Sequence, residues 1–383
     1  MATLSLTWTE HPPTEFTGGA VTVGNFDGVH RGHQALVAAA RRWADRVGGP
    51  CVVVTFDPPP AALLHPRPDK AIPLTTYAER AELLHASGAD HVVTLKTDAG
   101  LLSLSPEAFF EDVLLGLFRA KAVVEGYNFR FGRGRAGDTT TLRELCAKSG
   151  LAFEEVASLM VAGEAVSSSR VRTALNDGDV ATATELLGRA YRIAGTVVSG
   201  ARRGRTIGFP TANLDNVPTL LPKEGVYAVR AIVSGTGYPA AANIGPNPTF
   251  GDDARKIEVH LIDFNGDLYG TQLAVEFVAR LRDTKSFANV DELVDQLHRD
   301  VSAAKAILDP LRLRVEHILR TEATELGLDG SQLEVVEVVN GIATVRLGAV
   351  CASCSGNLHV IVAALEQELR RHVPEVEILE PIA

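Results

Sequence analysis

Cysteine and long apolar runs are both scarce in this chain of 383 residues. Four cysteines, at positions 51, 146, 351 and 354, are too few for a disulfide scaffold, which favours a reducing compartment. No apolar run approaches the ~20 residues of a membrane span. The segment Met1–Phe16 has no lysine or arginine, so it lacks the basic start of a secretory signal. We therefore expect a cytoplasmic protein with no membrane segment.

An excess of basic residues is also absent, because 37 Lys and Arg stand against 47 Asp and Glu, a net charge of −10. This balance argues against a nucleic-acid partner, since such binding depends on neutralising phosphates. The acidity is concentrated at one end, where residues 311–383 hold 6 Arg, no Lys and 11 Asp and Glu. The shift in composition predicts a separate module there.

The length predicts two or three domains, since domains of about 100–200 residues are usual. In the amino-terminal half, short apolar segments alternate with helical ones. This alternation predicts an α/β domain with a parallel, Rossmann-like sheet, which binds ligands at the carboxyl ends of its strands. The expected strands are Ala20–Val23, Cys51–Phe56, His91–Thr94 and Ala122–Glu125, and the expected helices are Gln34–Val47, Tyr77–Ser87, Pro106–Leu117 and Leu142–Lys148.

The pattern changes near Gly188, where short β-rich segments separated by Gly and Pro turns begin. Their spacing predicts a small antiparallel β-barrel, followed by a helix from Asp291 to about Leu308. Beyond Asp309-Pro310, Asn340-Gly341 between two strand-like runs predicts a hairpin in a small α+β domain. The expected domains are residues 1–185, 186–309 and 310–383, and the expected barrel strands are Tyr191–Val198, Gly225–Val233, Lys256–Ile262 and Gln272–Val278.

The most informative motif is the segment from Gly24 to His33, which joins an apolar strand to a helical run. A glycine-bearing turn and a helix N-terminus are the parts of a phosphate site. His30 and His33 lie three residues apart and share one side of the first turn, and Gly32 lets a phosphate approach the backbone. Two imidazoles at one phosphate suit nucleotidyl transfer. The alternative, for a histidine pair without these glycines, is two surface side chains beside a turn.

This segment resembles the nucleotidyltransferase signature built on His-x-Gly-His. Three further segments extend the resemblance, and they are Thr55–Pro58, Glu125–Gly132 and the serine run Ser167–Ser169 followed by Arg170. Together they resemble the adenylyltransferase half of the bacterial bifunctional riboflavin kinase/FAD synthetases. The resemblance implies that FMN attacks the α-phosphorus of ATP, giving FAD and pyrophosphate.

The resemblance also implies residue roles in this half. His30 and His33 would stabilise the transition state, and Asn128 and Arg130 would orient nucleotide or flavin. The other expected ATP- and flavin-binding residues are Gly24, Asn25, Asp27, Gly32, Ser167, Ser168 and Arg170, with Ser168 and Arg170 on the triphosphate.

The barrel region carries Gly204–Asn213, which resembles the riboflavin kinase motif centred on Pro-Thr-Ala-Asn. Ala242–Gly245 and Glu258–Leu261 also resemble stretches of that family, whereas a capped Gly/Pro turn would explain Pro-Thr alone. The resemblance implies that Glu258 is the base facing the riboflavin 5′-hydroxyl, and that Thr211 and Asn213 give oxygens to Mg²⁺. The other expected ATP- and flavin-binding residues are Gly204, Arg205, Gly208, Phe209, Pro210 and Asn243.

A glycine pattern at Gly132, Gly134 and Gly137 matches the dinucleotide-binding motif, and it approaches a P-loop. Asp138 stands where a P-loop has its lysine, and arginines fill the gaps between the glycines. We interpret the segment as a solvated loop.

Cys351-Ala352-Ser353-Cys354 follows the predicted hairpin, and the run around it resembles the C-terminal domain of NifU-like iron–sulfur scaffold proteins. Two thiolates supply half of the ligands of a [4Fe–4S] cluster, so the resemblance implies a homodimer sharing one cluster, with iron–sulfur assembly proteins as partners. A redox dithiol, half a zinc site and an interaction domain without metal stay open. Cys51 and Cys146 are interpreted as small core residues.

The sequence thus predicts a bifunctional enzyme that converts riboflavin and ATP to FMN, and FMN and ATP to FAD, with Mg²⁺ at both sites. The alternative is an iron–sulfur carrier that binds and senses flavin without turnover. The complete set of residues at both sites argues against it.

Overall fold

The computed structural model describes residues 2–64, 72–200, 203–247, 252–325, 333–347 and 358–382. The chain divides into two compact units, Met1–Ile193 with Pro218–Pro222, and Ala194–Val217 with Lys223–Ala383. Among the described helices, none combines the length and the apolar character needed to cross a membrane.

The first unit is built on a six-stranded parallel sheet in the order β1-β4-β3-β2-β5-β6. Its strands are β1 (Ala2–Leu6), β2 (Ala20–Val23), β3 (Cys51–Asp57), β4 (His91–Lys96), β5 (Ala122–Gly126) and β6 (Ala152–Val156). The predicted parallel sheet is therefore confirmed. The two strands that the sequence did not indicate, β1 and β6, lie at the sheet edges, where side chains stay partly exposed and the apolar signal is weak.

Helices cover both faces of this sheet, because neighbouring strand residues point to opposite sides. Val52 and Val54 pack into one buried layer, whereas Cys51 and Val53 pack into the other. The helices are α1 (Arg31–Val47), α2 (Pro60–Leu64), α3 (Tyr77–Ala86), α4 (Ala99–Ser103), α5 (Pro106–Ala108), α6 (Thr139–Lys148), α7 (Ser168–Asp177) and α8 (Val180–Leu187). A short hairpin of β7 (Met160–Val161) and β8 (Glu164–Ala165) precedes α7.

Several predicted helices differ from the observed ones at their boundaries, and α6, for example, begins at Thr139 rather than Leu142. The first helix begins at Arg31 rather than Gln34, because the His30 side chain caps it by accepting from the His33 amide. The helix predicted over Pro106–Leu117 is α-helical only to Ala108 and continues as a π-helix from Phe109 to Leu117.

The second unit contains a closed antiparallel barrel in the order β10-β13-β12-β11-β14-β9, which confirms the predicted barrel. Its strands are β9 (Tyr191–Val198), β10 (Ala212–Asp215), β11 (Gly225–Val233), β12 (Thr236–Asn247), β13 (Asp252–Leu261) and β14 (Gln272–Arg282). A short helix, α9 (Arg203–Thr206), precedes β10, and α10 (Val290–Leu308) follows β14. The sequence did not indicate β12, because Gly237 and Pro239 resemble turn residues.

Beyond the barrel lies a small α+β domain, as expected. It holds α11 (Pro310–Glu325), the hairpin of β15 (Leu333–Val339) and β16 (Ile342–Leu347), α12 (Leu358–His372) and β17 (Ile378–Ile382). The predicted turn is confirmed, with positive φ at both Asn340 and Gly341. β17 completes the sheet by pairing parallel to β16, a long-range contact that local sequence does not reveal. Cys351 and Cys354 lie outside the described residues.

Candidate functional site

The first candidate site lies where β2 ends, between its neighbours β3 and β5. The β2–β5 ladder includes Ala20 and Val21 only, and beyond it the Glu125 side chain accepts a hydrogen bond of 2.7 Å from the Val23 amide. Strand order changes direction at β2, so this is the switch point where open α/β sheets bind ligands. The loop from Gly24 to His30 starts at this crevice, and burial raises the pKa of Glu125 well above its usual range.

The two predicted catalytic histidines lie face to face at the start of α1. Their ring centroids are 3.6 Å apart with the planes tilted by 17°, and Phe26 meets His33 edge-on at 5.1 Å. A side chain at Gly32 would place its Cβ 3.2 Å from the His30 ring, so glycine permits this packing. The pair thus lies at the helix N-terminus, as the sequence predicts.

Both imidazoles are neutral at pH 7 in this structure. Burial lowers the pKa of His30 to about 4, and burial with the nearby His30 lowers the pKa of His33 well below its usual range. Nδ1 of His33 is buried and has no hydrogen-bond partner within the part of the chain that the structure describes. A buried nitrogen without a partner is uncommon in proteins and is one of the features found at functional sites.

Asp27 is engaged by the protein itself. Its carboxylate accepts from the Leu74 amide at 3.0 Å, from Arg80 Nη2 at 3.0 Å and from Arg172 Nη2. Arg80 is 2% exposed, so this is a buried ion pair that joins the loop to α3 and α7. Asp27, predicted from the sequence to bind ligand, thus ties the loop to two helices, and its ligand role stays a prediction.

The remaining loop residues are also fixed by backbone contacts. The Gly24 amide donates to the Val54 carbonyl at 3.0 Å, and the Asn25 carbonyl accepts from Thr55 Oγ1 at 3.2 Å. Both contacts tie the loop to β3, which ends beside it.

The serine run at the start of α7 contacts the same loop, although it lies much later in the chain. Ser167 caps α7 by accepting from the Arg170 amide, and Ser168 Oγ donates to the Asp27 carbonyl at 2.9 Å. The Arg170 guanidinium contacts the β7–β8 hairpin region instead, where it donates to three carbonyls and pairs with Glu164 at 3.1 Å. Ser168 therefore contacts the loop that holds Asp27, whereas Arg170 contacts the hairpin.

The sequence analysis missed Arg80 and Arg172. Arg172 could have been found, since it lies two residues beyond Arg170 in the helix that the serines open. Arg80 carries no local signal, because only the fold brings α3 to Asp27.

Asn128 and Arg130 lie exposed after β5, where Arg130 Nη1 pairs with Asp138 at 2.9 Å. Asp138 also caps α6, and the glycine-rich segment before it is closed by a bridge between Phe131 and Gly137. Residues 133–136 are exposed, so the interpretation as a solvated loop is confirmed.

The second candidate site lies on the outer face of the barrel. Glu258 of β13 pairs in register with Asn213 of β10 on one side and with Asn243 of β12 on the other. Residues opposite each other on adjacent strands point to the same face of a sheet. All three are partly exposed, whereas the next register row is buried, namely Ala212, Val259 and Ala242. Three predicted site residues therefore form one polar row.

The motif loop before β10 folds against this row. Phe209 is 7% exposed and lies between two histidines, with centroid distances of 5.5 Å to His260 and 4.9 Å to His298 of α10. Nδ1 of His260 lies 2.8 Å from the Pro210 carbonyl. A Cβ at Gly204 would lie 2.2 Å from the Phe209 carbonyl, so only glycine allows this close turn.

A cavity of about 440 Å³ adjoins the loop, lined by Arg205, Pro210, Thr211 and the segment 264–269. Its volume suits a small ligand. Thr211 thus lines the cavity, and Asn213 lies two residues further on in the polar row. The predicted kinase residues thus fall into two groups, one at the cavity and one in the polar row, and Gly208 lies in the turn of the motif loop at a φ of 87°.

Cys51 and Cys146 lie in the core of the first unit, as interpreted, and neither is exposed. Burial raises the pKa of Cys51 to about 12 and that of Cys146 to about 11, so both stay thiols.

Three family models match the chain, in the order in which these sites occur. FAD synthetase matches residues 13–170, riboflavin kinase matches residues 187–308, and the NifU-like domain matches residues 315–380. Each of the two sites lies within one of the first two matches.

Relatives and one solved structure agree with these matches. A bifunctional riboflavin kinase/FMN adenylyltransferase from Pseudomonas fluorescens is 38% identical over 297 residues, 77% of this chain and 95% of the relative. The enzyme of the same description from Bacillus subtilis is 35% identical over 318 residues, 82% of this chain and 100% of the relative.

A crystal structure described as a macrolide-efflux protein from Streptococcus pneumoniae matches with a TM-score of 0.73 and 33% identity, covering 80% of this chain and 99% of that one. This likeness supports the same fold over both enzyme regions. From these matches, the chain belongs to the family of bifunctional riboflavin kinase/FMN adenylyltransferases and carries a NifU-like domain at its carboxyl end.

Proposed function

We propose that riboflavin is phosphorylated at the polar row of the barrel and that FMN is adenylylated at the start of α1. The observation that carries the proposal is that several motif residues are grouped in each unit: the stacked histidines follow the loop that Ser168 contacts in the first, and the polar row forms in the second. Domain bounds of 1–185, 186–309 and 310–383 are proposed with it, and the three family matches support them.

In the kinase site, Glu258 is the general base. Its carboxylate is central in the row, so it can accept the proton of the riboflavin 5′-hydroxyl as that oxygen attacks the γ-phosphorus of ATP. Thr211 at the cavity and Asn213 two residues further on carry neutral oxygens, the kind of donor that Mg²⁺ prefers. The ion, when bound, neutralises charge on the triphosphate. Phe209 and His260 hold the loop that carries Thr211.

In the adenylyltransferase site, an FMN phosphate oxygen attacks the α-phosphorus of ATP and pyrophosphate leaves. Neutral His30 and His33 donate N–H groups to phosphate oxygens there, next to the free amides of the α1 N-terminus. Ser168 contacts the loop that precedes these histidines, because its hydroxyl donates to the Asp27 carbonyl. Asp27, Arg80 and Arg172 are positioning residues, because they fix the loop that precedes the histidines.

For the carboxyl-terminal domain we propose that Cys351 and Cys354 of two chains share one [4Fe–4S] cluster. The match to the NifU-like domain supports this role, and two thiolates per chain supply half of the four that the cluster needs. The buried Cys51 and Cys146 thiols are inaccessible and cannot complete the set within one chain.

Replacement of Glu258 by Gln is expected to abolish FMN formation, because the amide cannot accept the proton. FAD formation from supplied FMN stays near the wild-type rate, since the other site is in a separate unit. Chromatographic assay of FMN and FAD measures both rates. Glu276→Gln is the matched control, a glutamate on strand β14 of the same barrel. Wild-type kinase activity in Glu258→Gln would remove this residue from the base role.

Replacement of His33 by Ala has the opposite expected result. Loss of a hydrogen bond to a charged group, about 1.5–3 kcal/mol, slows adenylyl transfer by about ten- to a hundredfold. FMN then accumulates from riboflavin, which an initial-rate assay detects. His85→Ala removes an imidazole of α3 in the same unit and serves as the control. An unchanged rate of FAD formation in His33→Ala contradicts the assignment.

The neutral histidines make the first unit less stable in acid. Their pKa values are lower in the folded than in the unfolded chain, so the unfolded state binds more protons as the pH falls below about 6.5. The free energy of unfolding is expected to fall between pH 7 and about 4, by about 3 kcal/mol for His30 alone.

Urea unfolding followed by tryptophan fluorescence measures this effect, because Trp8 and Trp43 both lie in the first unit. Buried Glu125 has a raised pKa and therefore acts in the opposite direction, so the difference between variants is the informative quantity. The double variant His30→Asn/His33→Gln should show a flatter pH dependence than wild type. Parallel curves for the two proteins refute the neutral, buried assignment.

For the cluster, anaerobic reconstitution with iron and sulfide should yield two iron atoms per chain and a dimer by light scattering. Cys351→Ser should remove the iron and leave both flavin reactions intact, whereas the core variant Cys146→Ser should retain the iron. A monomer without iron, or preferential binding of zinc, favours one of the other interpretations of the cysteine pair.

A further inference from the structure

The two helices of the carboxyl-terminal domain bring a cluster of ligand-type side chains together. Glu322 of α11 lies beside Glu368 and His372 of α12, and one ligand atom from each lies within 4.8 Å of the others. No motif of the sequence singles these residues out. The two glutamates are half-buried and His372 is exposed, so the cluster is open to solvent on the side of the imidazole.

Packing of the helices causes this convergence. Leu319 and Ala323 of α11 lie in one apolar core with Leu365 and Leu369 of α12. Glu322 and Glu368 each adjoin one of these core residues in sequence, so both carboxylates lie near the interface of the two helices. His372 follows Glu368 by four residues, which places it on the same face of α12.

The charges in the cluster are only partly compensated. Glu368 Oε2 accepts from Arg371 Nη1 at 2.9 Å and lies 3.8 Å from His372 Nε2. Glu322, by contrast, makes no hydrogen bond or ion pair with any described residue. Other glutamates of these helices do pair with arginines, for example Glu316 with Arg320 at 2.6 Å and Glu366 with Arg370 at 2.6 Å. Glu322 is therefore a half-buried carboxylate that lies beside a second carboxylate and forms no ion pair with the described residues.

One imidazole and two carboxylates form a donor set for a divalent transition-metal ion such as Zn²⁺. The two negative charges balance the ion, and the open side leaves its fourth position to water. Ligand bonds of about 2.0–2.2 Å require donor atoms to approach one another more closely than they do here, which small rotations of long side chains allow.

We propose that Glu322, Glu368 and His372 bind one divalent transition-metal ion, with Zn²⁺ as the representative, and that the ion ties the end of α12 to α11. The site uses neither Cys351 nor Cys354, which lie outside the described residues. The proposal does not depend on a cluster at the cysteines.

The test uses the full chain with Cys351→Ser and Cys354→Ser, in which no accessible thiolate competes for the metal. Titration with Co²⁺ should show one ion per chain with weak visible bands of nitrogen and oxygen ligands and no thiolate charge-transfer band. Competition with a chromophoric chelator then gives the affinity for Zn²⁺.

In the same background, His372→Ala should weaken Zn²⁺ binding at least about tenfold, since even residues behind metal ligands affect affinity by about ten- to a hundredfold. Glu322→Gln, which preserves the shape of the side chain, should weaken it similarly. His317→Ala removes an exposed imidazole of α11 outside the cluster and should bind like the background protein. The proposal is overturned if the background protein binds no Co²⁺, or if His372→Ala and Glu322→Gln bind Zn²⁺ as tightly as His317→Ala.

Discussion

The two-residue period of a β-strand determines where chemistry is located in both units. In the parallel sheet, helices bury both faces, so successive residues such as Val52 and Val53 enter different cores and the strand faces are closed to ligands. Polar function is therefore confined to the carboxyl ends of the strands. Where β10, β12 and β13 pair in the barrel, only alternate residues are buried, so the residues between them stay partly exposed, and the row of Asn213, Glu258 and Asn243 uses that face.

The adenylyltransferase site also depends on a buried ion pair. Removing Asp27 would leave the guanidinium of Arg80, which is buried, without its carboxylate partner, which is strongly destabilising. The pair thus defines the loop between β2 and α1. That loop in turn precedes the stacked histidines, whose burial keeps them neutral, so each ring has one N–H donor and one acceptor nitrogen.

The carboxyl-terminal domain differs from both enzyme sites in how it handles charge. Its residues are strongly acidic, and most glutamates of α11 and α12 that lie near an arginine pair with it within one helix. Such local pairs on exposed surfaces contribute little to stability. The place where carboxylates of two helices meet is therefore the part of this domain where a bound cation has the most to neutralise.

Much of the fold was determined by local sequence. Strand–helix alternation fixed the parallel sheet, glycine and proline spacing fixed the barrel, and Asn340-Gly341 fixed the hairpin, because each depends on contacts or dihedral angles of residues near in sequence. Motif spacing likewise pointed to His30 and His33, and the resemblance to riboflavin kinases pointed to Glu258. Only the tertiary structure decided that Asp27 binds Arg80, that Arg170 faces a hairpin, and that Glu322 meets His372. The members of these pairs are far apart in the chain or have several candidate partners nearby. Only the packing of the folded chain determines which contact forms.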